Sequence, residues 1–310
     1  MFRNVLVGVD GRQGGRDAIA LARRLSTPET GFTLAHVYGL PPGRGGALAL
    51  PYERADSEQL LERERELADL DAQLIVSGQT SVGRGLHELA EAKQADLLVV
   101  GSTRHALLGR VLMGDHCLAA VDGAPCAIAV APRGYAQVAH GLHRLGVGYD
   151  GTAEGEHALA VARELAEPDG TIRALWVVSL PTVQAEKPIP ADWPKEINAL
   201  IELHTDRLAQ VEGVHGIVCY GGPREELAQF SQDLDLLIVG SRPYGPLGRL
   251  FHSSVSRYLV QHASCPLLVL RRSVYKAQTS RSTASVSVGS AASSAGESVR
   301  SVAKAEPSMP

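Results

Sequence analysis

The sequence predicts an α/β protein built from two tandem doubly wound domains, each a five-stranded parallel sheet with helices on both faces. Three observations carry this expectation. Short apolar runs alternate with amphipathic helical stretches. Several runs are apolar throughout, as strands covered on both faces must be. The whole order then recurs in a second register: VLVGVD at 5–10 returns as LGVGYD at 145–150, and DLLVVGS at 96–102 returns as DLLIVGS at 235–241.

In the first unit, apolar runs at 5–9, 34–37, 74–77, 97–100 and 127–130 read as strands, with helices near 14–25, 56–72, 84–94 and 114–122. The second unit places strands near 145–149, 174–178, 216–220, 236–239 and 267–270. The first helix shows the periodicity plainly. Ala18, Leu21, Ala22 and Leu25 have i, i+3, i+4, i+7 spacing, and Ala158, Val161, Ala162 and Leu165 repeat it. Leu108-Gly109-Arg110 returns as Leu247-Gly248-Arg249, and Cys126 as Cys265. One register held from end to end of a unit indicates duplication. Strand–helix alternation implies a parallel sheet with right-handed crossovers. Ligands bind such sheets beyond the carboxyl ends of the strands, where strand order reverses. Asp10, Asp150 and the Gly-Ser pairs at 101–102 and 240–241 all stand at strand carboxyl ends.

The expected domains are 1–133 and 144–272, joined by a linker at 134–143. The Ser/Ala-rich tail at 273–310 has too little apolar surface to offset its ordering entropy and is expected to be disordered. A net charge of -4 and a pI near 6.3 argue against nucleic acid or an anionic membrane as partners. No run approaches the roughly 18 apolar residues that span a bilayer. The first strand begins almost at Met1, leaving no room for a signal peptide. The four cysteines, Cys117, Cys126, Cys219 and Cys265, have no CxxC spacing and lie in or beside apolar runs. Buried free thiols in a reducing compartment follow, hence a cytoplasmic location.

Most enzyme signatures are missing: there is no GxxxxGK[ST], HExxH or GxSxG. Gly146, Gly148 and Gly151 satisfy GxGxxG, but the first two fall within the strand and no acid ends the next strand near Trp176 to hold a ribose. His105, His116 and Cys117 match no zinc spacing. Nor does sequence alone identify an acid/base arrangement.

The informative stretches follow the fourth strand of each unit. The second reads GSRPYGPLGRLFHSSVS at 240–256. It resembles the universal stress proteins, in which the fourth strand is followed by G-x2-G-x9-G-(S/T) and the last helix. The first strand of that family ends in an Asp that, in ATP-binding members, faces the adenine. The resemblance covers about 1–132 and 144–272. It implies five strands in the order 3-2-1-4-5, pairing of units through their last strands, and a homodimer of chains.

Glycines in such a loop let backbone N–H groups approach phosphate, and a Gly-Ser opening a helix favours an anion. Mapped onto the motif, unit two keeps Gly240 and Ser254, with Pro243 and Ser253 replacing the later glycines; Arg242, Gly245 and Val255 belong to the same stretch. The resemblance gives Asp150 and Val177 to the base and ribose. Pro243 removes an N–H, while the serines can still cap a helix or bind phosphate. Unit one keeps Asp10, Val37, Gly101 and Gly114 but has Arg104 and Asp115 at the other positions. Asp115 would cap its helix and repel a triphosphate, with Arg104 either pairing with it or clamping phosphate. The expectation is a stress-response regulatory protein, not an enzyme, that binds ATP, with or without Mg, mainly in unit two. Its protein partner is unknown. The alternatives are a ligand-free dimerisation or interaction module, and a slow ATP hydrolase.

Overall fold

A computed structural model describes residues 1–40, 50–103, 106–112, 124–138, 141–179, 193–240 and 254–271. The helix expected at 114–122 and the tail at 273–310 lie outside them. Unit one runs β1 (Phe2–Gly8), α1 (Gln13–Arg24), β2 (Ser26–Gly39), α2 (Leu50–Ala68), β3 (Ala72–Gln79), α3 (Val82–Ala92), β4 (Leu97–Gly101) and β5 (Ala127–Ala131). Unit two runs β6 (Arg144–Gly148), α4 (Ala153–Leu165), β7 (Thr171–Val178), α5 (Trp193–Ala209), β8 (His215–Tyr220), α6 (Pro223–Phe230), β9 (Leu236–Gly240), α7 (Ser254–His262) and β10 (Leu267–Leu270). No helix among the described residues is long and apolar enough to cross a membrane.

All ten strands form one sheet in the order β3-β2-β1-β4-β5-β10-β9-β6-β7-β8. Each half therefore has the expected order 3-2-1-4-5, parallel throughout. The halves meet where β5 and β10 pair antiparallel, Ile128 facing Val269, Ala129 facing Leu268 and Val130 facing Leu267. Ala129 and Leu268 are counterparts in the repeat, so a local pseudo-twofold axis passes between them. Pairing the last strands hides what would otherwise be two exposed apolar edges.

Successive residues of the central strands point to opposite faces. On one face Val5 and Val7 pack with Ala18, Leu21, Ala22 and Leu25 of α1, and Leu145 and Val147 with Ala158, Leu159, Ala162 and Leu165 of α4. On the other, Leu6 packs with Leu86 and Ala90 of α3, and Val239 with Leu227, Leu259 and Val260 of α6 and α7. Both layers cross the seam without a break: Ala129 and Leu268 belong to the first, Ile128 and Val269 to the second. Each fully buried leucine on these faces contributes roughly 2 kcal/mol.

Two repeated aspartates tie strand starts together. Asp96, just before β4, accepts the N–H groups of Arg3 at 2.7 Å and Asn4 at 3.1 Å. Asp235, its counterpart, accepts those of His143 at 3.2 Å and Arg144 at 2.8 Å, and the Arg144 guanidinium at 2.7 Å. Burial opposes ionisation of Asp235, but the Arg144 and backbone hydrogen bonds outweigh it and hold the carboxyl below its usual range.

Several elements differ from the sequence expectation. β2 starts at Ser26 rather than 34, because the polar segment 26–33 pairs along β1 with an irregularity between Phe2 and Asn4. α2 begins at Leu50 rather than 56. Cys126 and Cys265 are buried as expected, whereas Cys219 is only half-buried, because β8 is an outer strand.

Candidate functional site

In unit one, Val9 extends the β1–β2 ladder through its N–H to Ala35, 2.9 Å away. Asp10 follows, and Gly11 turns the chain in the left-handed region at φ 68°. The Oδ1 atom of Asp10 accepts the N–H groups of Arg12 at 3.0 Å and Gly15 at 3.2 Å, so the strand end caps α1. Its Oδ2 takes no hydrogen bond among the described residues. The start of α1 lies directly against the end of β4. A Cβ at Gly101 would overlap the Gly14 carbonyl, and one at Gly14 would sit 2.7 Å from the Ser102 carbonyl oxygen. Only glycine admits this approach.

Above the ends of β1, β2 and β4 opens a cleft of about 690 Å³. It lies where strand order reverses, with β1 flanked by β2 and β4. Asp10, Val37 and Gly101 line it together. Val82, Leu86 and Val100 add an apolar wall; Gln13, His36, Arg133 and Gln137 add polar groups that sequence reasoning did not single out. His36 Nδ1 lies 2.7 Å from the Val9 carbonyl, which only accepts, so Nδ1 carries the hydrogen and Nε2 is an acceptor in the neutral ring. The hydroxyl of Ser102 donates to the Ala131 carbonyl at 2.8 Å and accepts from Leu112 N–H at 3.3 Å.

Residues 134–137 form part of the wall rather than a bare linker. Asp17, fully buried in α1, accepts Gly134 N–H at 2.7 Å, Ala136 N–H at 2.8 Å and the Gln13 amide at 2.8 Å. These bonds hold a turn, Tyr135–Gln137, against α1. Arg133 donates to the Ala106 carbonyl at 2.9 Å. Arg16 points away, forming two 2.9 Å bonds to the buried Glu64 of α2.

Unit two arranges the same positions differently. Asp150 Oδ1 accepts both the N–H of Thr152, at 3.2 Å, and its hydroxyl, at 2.5 Å; Thr152 in turn caps Gly155 N–H at 3.3 Å. Glu154 and Glu156 occupy the first turn of α4, where α1 has Gly14 and Arg16. Burial first, then its hydrogen bond to Glu156, pushes the Tyr149 phenol up to about 12. Trp176 stands where unit one has His36, edge-on to Tyr149 at 5.5 Å and stacked on His204 at 3.9 Å. Gly240 lies against Glu154, whose Cβ would be 2.8 Å from an added methyl. Val177 is half-buried against the opposite core layer, Ser254 opens α7 and Val255 follows it, half-buried. Gly146 and Gly148 lie inside β6 and only Gly151, at φ 71°, turns, which removes the dinucleotide reading of GxGxxG. Arg242, Pro243, Gly245, Ser253, Arg104, Gly114 and Asp115 lie outside the described residues, as do His105, His116 and Cys117.

The model of the universal stress protein family matches residues 1–132 and again 141–271. The chain belongs to the universal stress protein family. Among its relatives is a universal stress protein of Mycolicibacterium smegmatis, 28% identical over 292 residues, covering 86% of this chain and 96% of the relative. One of Mycobacterium tuberculosis is 27% identical over 218 residues, 66% of this chain and 75% of its own. Among solved structures, a universal stress protein from Archaeoglobus fulgidus shares the fold at a TM-score of 0.61 and 15% identity, covering 87% of this chain and 98% of its own.

Proposed function

We propose that this universal stress protein is a regulatory binder of an adenine nucleotide, and that the unit-one cleft is the site the geometry supports best. One observation carries the reading: Asp10, Val37 and Gly101, far apart in the sequence, line one open cleft at the switch point of the sheet. Its apolar wall suits a base, and Asp10 Oδ2 has acceptor capacity for a base amino group or a ribose hydroxyl. ATP is the proposed nucleotide, and any Mg²⁺ would accompany its phosphates. The binding role is preferred over catalysis because membership of the universal stress protein family supports a stress-response protein. Unit two is the second reading, favoured by the sequence alone, which has Ser253-Ser254 where the family motif has its last Gly-(S/T). A cytoplasmic homodimer with a further protein partner completes the proposal.

Mass spectrometry of nucleotide released from the purified, denatured chain, followed by calorimetric titration of ATP, tests it. Asp10→Ala is expected to weaken binding by about tenfold or more, with Asp150→Ala changing it little. The opposite pattern moves the site to unit two. No released nucleotide and no heat of binding would leave a ligand-free interaction module. Phosphate release above background would favour the hydrolase, and sedimentation showing only monomer at micromolar concentration would remove the homodimer.

A further inference from the structure

We infer that two chains pair through the outer face of α1 and α2 in unit one, each seating Leu67 in the α1–α2 groove of the other. This rests on the homodimer reading and goes beyond it by assigning the surface.

α2 buries Leu61 and Glu64, with Leu60 packed half-buried against the core beside them. Leu67 comes two turns after Leu60 and so stands on the same stripe of the helix. Yet it is 63% exposed, on the rim of a groove of about 570 Å³ between α1 and α2. Ile19, Ala20, Ala68 and Ala136 line that groove. The three alanines leave a hollow there, and Ala136 is fixed in place by the bond from its N–H to Asp17.

The same face carries both halves of a charge match. α1 holds three arginines against one carboxylate, the buried Asp17, while α2 holds six carboxylates against three arginines. Arg16 is spent on Glu64, but Arg23 and Arg24 stand on the groove. Arg23 gives one N–H to the Ala68 carbonyl at 2.6 Å and Arg24 lies 3.8 Å from Glu167, which leaves each guanidinium further donors. Glu66, exposed beside Leu67, has no ion pair among the described residues.

A two-fold axis beside the groove sets α2 of one copy over α1 of the other. Leu67 then enters the hollow while Glu66 and Glu62 meet Arg23 and Arg24, each contact made twice. This selects a second copy over an unrelated partner, because the face is its own complement. β5 and β10 already pair within the chain, so two copies must meet elsewhere than at those strands. By helix dimensions the face measures about 28 Å by about 20 Å, the order of area that a specific interface buries on each partner.

Sedimentation equilibrium and native mass spectrometry on the full chain test this with wild type, L67D, R23E/R24E and E62K/E66K. Wild type is expected to dimerise at micromolar concentration. L67D is expected to weaken the dimer about a hundredfold, and each charge-reversed variant about tenfold or more. An equimolar mixture of the two charge-reversed variants is expected to recover a mixed dimer near wild-type affinity, since every like-charge contact becomes an opposite one. All the replaced side chains are exposed, so the variants are expected to melt within a few degrees of wild type. Should L67D fail to fold, the charge-reversed pair and its mixture decide. A dimer that persists in every folded variant, or a mixture that stays monomeric, overturns the surface while the homodimer reading stands. Wild type that stays monomeric overturns both.

Discussion

Asp17 gives the sharpest test of how the cleft is held together. Its carboxylate is inaccessible to solvent and accepts three hydrogen bonds, of 2.7, 2.8 and 2.8 Å, two of them from the backbone of the 134–137 turn. Asp17→Asn keeps the shape but turns one acceptor into a donor facing an N–H. One charged hydrogen bond is lost, at about 1.5–3 kcal/mol, and a buried donor is left unpaired at a similar cost, so about 3 kcal/mol is expected in total. Asp17→Ala strands both backbone N–H groups and is expected to cost about 5 kcal/mol. With an m value of about 3 kcal/mol/M, Asn lowers the urea midpoint by about 1 M and Ala by more. Far-ultraviolet circular dichroism across a urea titration reads both midpoints. If both variants unfold within about 0.5 kcal/mol of wild type, the turn is not anchored by Asp17 and the account of the cleft wall fails.

Leu268→Ala empties a site at the pseudo-dyad where Leu268 is fully buried, and is expected to cost about 2–5 kcal/mol in the same assay. A loss below about 1 kcal/mol would mean the seam is not a packed core. Asp235 has a lowered pKa in the folded chain, so its contribution is present above its unfolded value near 3.9 and is lost as pH falls through the lower folded value. Asp235→Asn should therefore cost about 1–2 kcal/mol at pH 7 and less at pH 3; equal costs at both pH values would contradict this. Burial pushes the Cys126 thiol up to about 12 and raises that of Cys265 as well. Neither is expected to react with a disulfide reagent at pH 8 until the chain unfolds, which mass mapping of labelled peptides would show.

The central strands β4, β5, β9 and β10 were legible because they are covered on both faces and so read as unbroken apolar runs, while the internal repeat showed the order of the strands twice over. The polar start of β2 escaped this logic: residues 26–31 include Thr27, Glu29 and Thr30, which no hydrophobic pattern marks as strand, and pairing along β1 makes them so. Asp10 and Gly101 were readable as strand-terminal residues, and Val37 came from the family resemblance. Arg133 and Gln137 were not readable, since the segment that carries them is held against α1 by the long-range bonds of Asp17 to the turn after β5. His36 had a local signal, standing next to Val37 at the end of an apolar run. The contrast between the helix starts, Arg12-Gln-Gly-Gly-Arg16 against Thr152-Ala-Glu-Gly-Glu156, was on the page of the sequence. Only the contact of Gly14 with the end of β4 shows that it bears on the cleft.

The β5–β10 ladder also bears on how such a chain diverges after duplication. Each half supplies the other with the neighbour its last strand requires, so a break between them would lay Ile128, Val130, Leu267 and Val269 open to any passing strand. Neither half can be discarded without exposing the survivor to aggregation. A half relieved of ligand duty would still be retained as scaffold. Its helix start would then be free to acquire acids, while its seam residues stayed under the full constraint of packing.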